Sequence, residues 1–401
     1  MRRRVAVIHP QLRYGGSETG ALWTIEALKR DHEVTLITGG RVDLPRLNEY
    51  YDTDLRPGEF TILEVRLPLG LHRTFKLPGL RGALFARECR RLAPRFDAIT
   101  YHYNPGDLGV PLIQFVADFS FAPKLQKALH PSIMTGLPWW YGDTILRRAY
   151  RGLCQRLAPS RAENWKKNFT VANSQWTAGV LEREFGLVAT RVQFPPVPGN
   201  FPVVPWNERE NGFVCVGRVV SEKRMDAVIG ILDQVRQHGF DIHLHILGAL
   251  DDSPFARKVQ ALASRHGDWV FLEGRVVGKA KRELMARHKF GINGCEHEAF
   301  GIAVAELVKA GCLTFVPDSG GQTEIVDHPS LTFQNDDDAI QKIVSALGNP
   351  GLQAALVGHL RDRSRELSTE RFQAGIRSLL AEFLECNCGG ISGKAWTMSS
   401  Y

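Results

Sequence analysis

Between Phe194 and Pro205 the chain carries five prolines: Pro195, Pro196, Pro198, Pro202 and Pro205. Proline fixes φ and has no amide N–H, so neither a helix nor a central strand persists through such a run. The run divides the 401 residues into two units, each alternating short apolar segments with amphipathic ones. In the first unit, residues 5–8 read as a strand, Gly15-Gly16 as a tight turn, about 18–29 as a helix, and 33–38 as a strand ended by Gly39-Gly40. Leu22, Ile25 and Leu28 share one face of that helix. In the second unit the alternation restarts at 212–217 and continues with a helix over about 225–238 and strands at 242–247, 269–272 and 290–293. Strand–glycine loop–helix–strand grammar predicts parallel sheets of the Rossmann type. The expected division is 1–200 for the first domain, 206–368 for the second, an amphipathic helix at about 369–385, and a disordered tail over 386–401. Residues 41–70 show no usable pattern.

Within the second unit, Glu298 and Glu306 stand eight positions apart in Glu296-His297-Glu298-Ala299-Phe300-Gly301-Ile302-Ala303-Val304-Ala305-Glu306. A loop ending near Phe300 and a helix starting near Gly301 are expected, with Gly311 ending the helix before a buried strand over 312–316. The amides of Phe300, Gly301 and Ile302 would then be donors at a helix N-terminus, which attracts anions. Gly301 lacks Cβ, so a phosphate could approach its backbone closely. This pattern suits a ligand with a diphosphate between two hydroxyl-rich rings. The spacing alone fits an ordinary capped helix with a surface glutamate equally well.

No run of eighteen apolar residues occurs, and the N-terminus reads as a first strand rather than a signal peptide. Seven cysteines at irregular spacing match neither a disulfide framework nor a zinc motif, so buried thiols in a reducing cytoplasm are expected. The net charge of +7 is uneven, at +10 for residues 1–200 and −3 for the rest. Between His72 and Phe96, Arg73, Lys76, Arg81, Arg87, Arg90, Arg91 and Arg95 face a single acid, Glu88, among Leu77, Leu80, Leu84 and Phe85. This stretch reads either as a solvated basic helix or as an anionic-membrane contact. A second basic group follows Trp139 and Trp140, over 147–167. No nucleic-acid module appears, and no nucleic-acid partner is expected.

Five stretches together resemble retaining glycosyltransferases of family 4, the group 1 glycosyl transferases with the GT-B fold. They are Tyr14-Gly15-Gly16-Ser17-Glu18, Ala172 to Thr177, Gly217-Arg218 with Lys223, Glu298 to Glu306, and Ser319-Gly320-Gly321 with Glu324. The resemblance implies an α/β chain of two facing Rossmann-like domains with the active site in the interdomain cleft. The donor, a nucleoside-diphosphate sugar, would bind mainly the second domain. Arg218 and Lys223 match the basic pair on the diphosphate, Glu306 the glutamate on the ribose hydroxyls, and Glu298 the glutamate on the donor sugar near the reacting carbon. Gly16 matches the loop that closes over the phosphates. Arg275, after the strand at 269–272, is a further donor-contact candidate. Lys309 is assigned only solubility.

The family often carries a histidine where this chain reads Val116-Ala117-Asp118-Phe119, so Asp118 and His102 are held as candidate sugar or acceptor contacts. For His102 the alternative is a buried structural imidazole. The chemistry implied is front-face transfer with retention, needing no cofactor and no metal, because Arg218, Lys223 and the helix N-terminus supply positive field. The expected acceptor is a glycan or lipid-linked hydroxyl, with an anionic membrane surface as partner and a cytoplasmic location, peripheral on the inner face of a membrane. The competing functions are a sugar-nucleotide 2-epimerase and a non-catalytic sugar-nucleotide-binding subunit.

Overall fold

The computed structural model describes residues 2–67, 77–131 and 145–388. Arg73, Lys76, Trp139, Trp140 and the tail from Gly389 onward lie outside the described residues. The chain forms two compact units, with the change of unit at Pro196/Val197, inside the proline run.

The first unit contains β1 (Arg4–His9), α1 (Gly16–Leu28), β2 (Glu33–Thr38), α2 (Leu44–Tyr51), β3 (Thr61–Glu64), α3 (Pro78–Leu92), β4 (Ala98–Tyr101) and β5 (Ile113–Val116). After α4 (Pro123–Leu129), which leads out of it, the unit continues with α5 (Ile145–Leu157), α6 (Ala162–Trp165), β6 (Phe169–Ala172), α7 (Gln175–Phe185) and β7 (Arg191–Val192). Its seven strands are all parallel, in the order β3-β2-β1-β4-β5-β6-β7. Successive residues of β1 serve opposite faces. Val5 and Val7 join one core layer with Leu22, Ile25 and Leu28, while Ala6 and Ile8 join the other with Phe85, Cys89 and Leu92.

The second unit contains β8 (Glu210–Val216), α8 (Met225–Gln237), β9 (His243–Leu247), α9 (Pro254–Arg265), β10 (Val270–Gly274), α10 (Gly278–Arg287) and β11 (His288–Ile292). It continues with α11 (Ile302–Lys309), β12 (Leu313–Pro317), α12 (Gln322–Val326), β13 (Thr332–Phe333), α13 (Asp336–Gly348) and α14 (Pro350–Arg363). Its six parallel strands run β10-β9-β8-β11-β12-β13. Of the segment after β5, residues 124–131 group with this second unit, a division the sequence does not announce.

The final helix, α15 (Thr369–Cys388), belongs to the first unit. Phe372, Ile376, Leu379, Leu380 and Phe383 enter the core layer of Val5, Leu22 and Phe169. Arg377 donates to the Ala27 carbonyl at 3.1 Å, and Arg191 pairs with Glu382 at 2.6 Å. The helix includes Cys386 to Cys388, which the sequence reading assigned to the tail. After Gly375 no glycine or proline occurs until Gly389-Gly390, so nothing stops it near 385.

Residues 41–70 also hold more structure than their pattern suggests. The Asp43 carboxylate accepts the Arg46 amide at the start of α2, and Asp52 ends that helix at φ 55°. β3 is an edge strand with mostly exposed side chains, so it carries no apolar alternation. Lys309 is more than a solubilising charge: its ammonium donates to the Val197 carbonyl at 2.5 Å and lies over the Phe201 ring. It thereby fastens the linker to α11.

Candidate functional site

In the second sheet the strand order reverses between β8 and β11. Loops leaving the carboxyl ends of two such strands diverge and leave a crevice, where open α/β sheets bind ligands. The loop after β8 carries Arg218 and Lys223, and the loop after β11 carries Glu298.

These loops meet. The Lys223 ammonium forms a short ion pair with the Glu298 carboxylate, and both side chains are mostly buried. Gly294 permits the approach, since a Cβ there would lie 2.9 Å from the Lys223 carbonyl oxygen and 3.1 Å from that of Arg224. The next residue, Arg224, turns the chain at φ 47° and binds Glu296 at 2.9 Å and Asp336 at 3.0 Å. Burial pushes the Glu298 carboxyl up, but the Lys223 charge and hydrogen bond outweigh it and hold the carboxyl below its usual range. Burial opposes the charge of Lys223, yet Glu298 leaves its ammonium more firmly protonated than usual.

The Glu298 backbone is held from the loop after β12. The Gly321 amide donates to the Glu298 carbonyl at 2.8 Å, and the His297 amide donates to Ser319 Oγ at 3.2 Å. Gly320, at φ 79°, lies where a Cβ would be 2.4 Å from the Glu298 carbonyl oxygen, which excludes any side chain. Gln322 is fully buried, accepts from Asn293 Nδ2 at 2.7 Å, and donates to the carbonyls of Cys295 and Ser319 at 2.7 and 3.0 Å. It locks the start of the Glu298 loop, and the sequence reading did not single it out.

α11 begins at Ile302 with Gly301 as its N-cap, at φ 101°. A Cβ on Gly301 would meet Gln322 Cβ at 3.3 Å and Glu298 Cγ at 3.4 Å, so glycine answers both the conformation and the space. Phe300 is buried and anchors the turn. Glu306 lies just over one turn into α11, and Lys281 of α10 binds both its carboxylate oxygens. The structure therefore gives each glutamate its own lysine.

Arg218 and Lys223 differ in their surroundings. Arg218 is 75 % exposed in its side chain and lies 3.7 Å from Glu222. Arg275 is exposed just beyond β10. His130, after α4, has its ring centroid 6.4 Å from that of His297. Burial holds the His130 imidazole below its ordinary value, against the pull of the Glu298 carboxylate. Sequence gave no signal for His130.

In the first unit, Gly16 opens α1 and is exposed. The preceding loop is tied down by polar groups: the Gly15 amide donates to Tyr51 Oη at 2.8 Å, and the Arg13 amide donates to Glu18 Oε1 at 3.1 Å. Ser17 donates to Glu18 Oε2 at 2.9 Å and accepts from His9 Nε2 at 3.0 Å. His102 is buried and stacked on Phe115, with centroids 4.2 Å apart and planes 11° apart. Burial pushes its pKa well down, so the ring is neutral. Asp118 is exposed and accepts from Asn104 Nδ2 at 2.8 Å and the Ser120 amide at 2.9 Å, a turn-closing arrangement.

Residues 198–361 match the family described as Glycosyl transferases group 1. No curated protein matches the chain. Among solved structures, WaaG, a glycosyltransferase involved in lipopolysaccharide biosynthesis, is 19% identical, with 93% of this chain and 99% of that chain covered and a TM-score of 0.62. HepE of Anabaena, solved with UDP and glucose, is 13% identical over 95% of this chain and 100% of that one, with a TM-score of 0.66. Sucrose-phosphate synthase of Thermosynechococcus elongatus is 14% identical over 96% and 100%, with a TM-score of 0.67. The chain thus has the GT-B fold, and the segment that matches the group 1 family contains Lys223, Lys281, Glu298 and Glu306.

Proposed function

We propose that the chain is a retaining glycosyltransferase of family 4, moving a sugar from a nucleoside-diphosphate donor to a hydroxyl acceptor. The observation that carries this is the Lys223–Glu298 ion pair at the reversal point of the second sheet, beside the N-terminus of α11. Glu298 would accept from donor-sugar hydroxyls near the reacting carbon, and Glu306 from the ribose diol. Lys223, Arg218 and the α11 N-terminus would meet the charge that grows on the leaving diphosphate. The acceptor hydroxyl would add on the face the diphosphate leaves, passing its proton to a phosphate oxygen. In this reading the three cationic groups supply the field and the transfer needs no metal. The UDP and glucose bound to HepE agree with a donor of this class.

The test is incubation of the purified chain with UDP-, GDP- and ADP-sugars, following donor loss and product configuration by NMR. Release of free sugar in the donor's configuration is expected, and it should persist in excess chelator. A changed donor sugar without release identifies an epimerase instead. No turnover of any donor, despite tight nucleotide binding, identifies a non-catalytic subunit.

A membrane-bound acceptor is the second part of the proposal, and it rests on α5. That helix exposes Ile145 and Leu153, at 77% and 50%, with Arg148, Arg151 and Arg156. Apolar side chains beside arginines on an exposed helix suit an anionic lipid surface. In this reading the protein is peripheral on the cytoplasmic face; no described helix is long and apolar enough to cross a membrane.

A further inference from the structure

We propose that the amino-terminal edge of the second sheet is a zinc site formed by His243, His245 and His288, with Glu210 as the fourth ligand. The ligating atoms of the three histidines all lie within 4.8 Å of one another. They converge because β9, β8 and β11 are neighbours: His243 registers with Gly212, and His288 with Glu210. Gly212 leaves the opening between the rings. A Cβ there would lie 2.2 Å from His243 Nε2 and 2.6 Å from His288 Cδ2, so any other residue would block the cluster.

Two of the rings already have Nδ1 engaged by an oxygen acceptor. His288 Nδ1 lies 2.6 Å from the Leu284 carbonyl, and His245 Nδ1 lies 2.7 Å from Glu273 Oε1. Each contact places the proton on Nδ1 and leaves the Nε2 lone pair free, the outer-shell arrangement that metal-binding imidazoles use. The Nε2 atoms of His243 and His288 are buried with no hydrogen-bond partner. A buried polar atom of this kind carries a desolvation cost that a metal bond would offset. Glu210 Oε2 stands 3.4 Å from His243 Nε2 and 3.7 Å from His288 Nε2.

Three imidazoles and one carboxylate suit tetrahedral zinc, whose ligand atoms stand roughly 3.3 Å apart at Zn–N distances near 2.05 Å. The half-buried His243 and His245 rings would turn inward to close the present spread. Glu210 begins β8 and Val216 ends it, so the site is about 20 Å from the loop that carries Lys223. Its role is therefore to clip the starts of three strands, independent of the proposed transfer chemistry.

The test uses the full-length, tag-free chain, stripped with chelator and titrated with zinc chloride by calorimetry and thermal unfolding. One zinc per chain is expected, with a rise in melting temperature of several degrees. His243→Ala and His245→Ala should each weaken binding roughly 100-fold or more, and Glu210→Gln roughly 10-fold. Buried His288 is left intact so that the comparison involves folded protein. His359→Ala, in a second histidine pair with His328, should bind like wild type. Wild type that takes up zinc no better than the His243→Ala/His245→Ala double variant overturns the proposal, as does loss of binding on His359→Ala alone.

Discussion

The Lys281 ammonium spans the Glu306 carboxylate, 2.7 Å from one oxygen and 2.6 Å from the other. A carboxylate offers about four lone-pair positions, so this clamp fixes its plane and still leaves acceptors for a diol. Glu306→Ala is expected to lower affinity for the best-bound nucleoside diphosphate roughly tenfold or more, as for loss of about 1.5–3 kcal/mol of charged hydrogen bonding. The melting temperature should fall somewhat as well, because the change leaves the mostly buried Lys281 ammonium unpaired, while the fold stays intact. Calorimetric titration decides it: a variant that binds like wild type takes Glu306 out of the donor site.

Lys223 and Arg218 should separate in a way the sequence does not foresee. Either alanine variant is expected to raise the transfer barrier by about 2–4 kcal/mol if both side chains meet the leaving diphosphate. Only Lys223→Ala leaves a mostly buried carboxylate unpaired, which costs a further ~1–3 kcal/mol of stability. Arg218 is largely in solvent, so Arg218→Ala should melt like wild type. Parallel measurement of kcat and Tm tests the split. Unchanged turnover in Arg218→Ala would leave the diphosphate to Lys223 and the helix N-terminus.

The two parallel sheets and the start of α11 were legible because they rest on local patterns: apolar strands, glycine at strand ends, and the turn at Gly301. The pairings that organise the site were not. Lys223 and Glu298 are 75 positions apart, and Lys281 and Glu306 are 25 apart, so no spacing rule links them. Gln322 reads as an ordinary helix residue until the fold closes it over Asn293, Cys295 and Ser319. His102 was open between sugar contact and buried ring, and the fold buries it against Phe115. The histidine cluster escaped notice because its members come from two strands separated by α9, β10 and α10, and no zinc spacing motif joins them.

The Lys223–Glu298 pair also sets an acid limit. The Glu298 pKa is lower in the folded chain than its ordinary 4.5, so its contribution to stability is full above that value and is lost as pH falls through the folded one. The Lys223 pKa is raised above its ordinary 10.5, so its contribution is full below that and is lost only at higher pH. The pair is therefore complete across neutral pH. The Tm gap between wild type and Glu298→Gln should be constant from pH 6 to 8 and shrink below about pH 4. A gap that widens on acidification would contradict the ion pair.

Membrane attachment is the part of the proposal most open to a direct test. The first 200 residues carry a balance of +10, and exposed Arg87, Arg91 and Arg95 lie on and just after α3, which packs against α5. Part of that charge is already used inside the fold: Arg90 binds Asp107 at 3.1 Å and Arg91 binds Glu88 at 3.0 Å. Arg148 and Arg156 of α5, each worth up to about 1 kcal/mol near an anionic leaflet, would act together with burial of Ile145 and Leu153. Flotation with phosphatidylserine-containing vesicles should recover the chain at low salt and lose much of it at high salt. Neutral vesicles should recover little. Ile145→Ser/Leu153→Ser should weaken binding at every salt concentration, whereas Arg148→Gln/Arg156→Gln should chiefly remove the salt-sensitive part. Equal and negligible recovery from both vesicle types would reduce the basic helices to ordinary solvated surface and leave a soluble acceptor as the substrate of the same donor site.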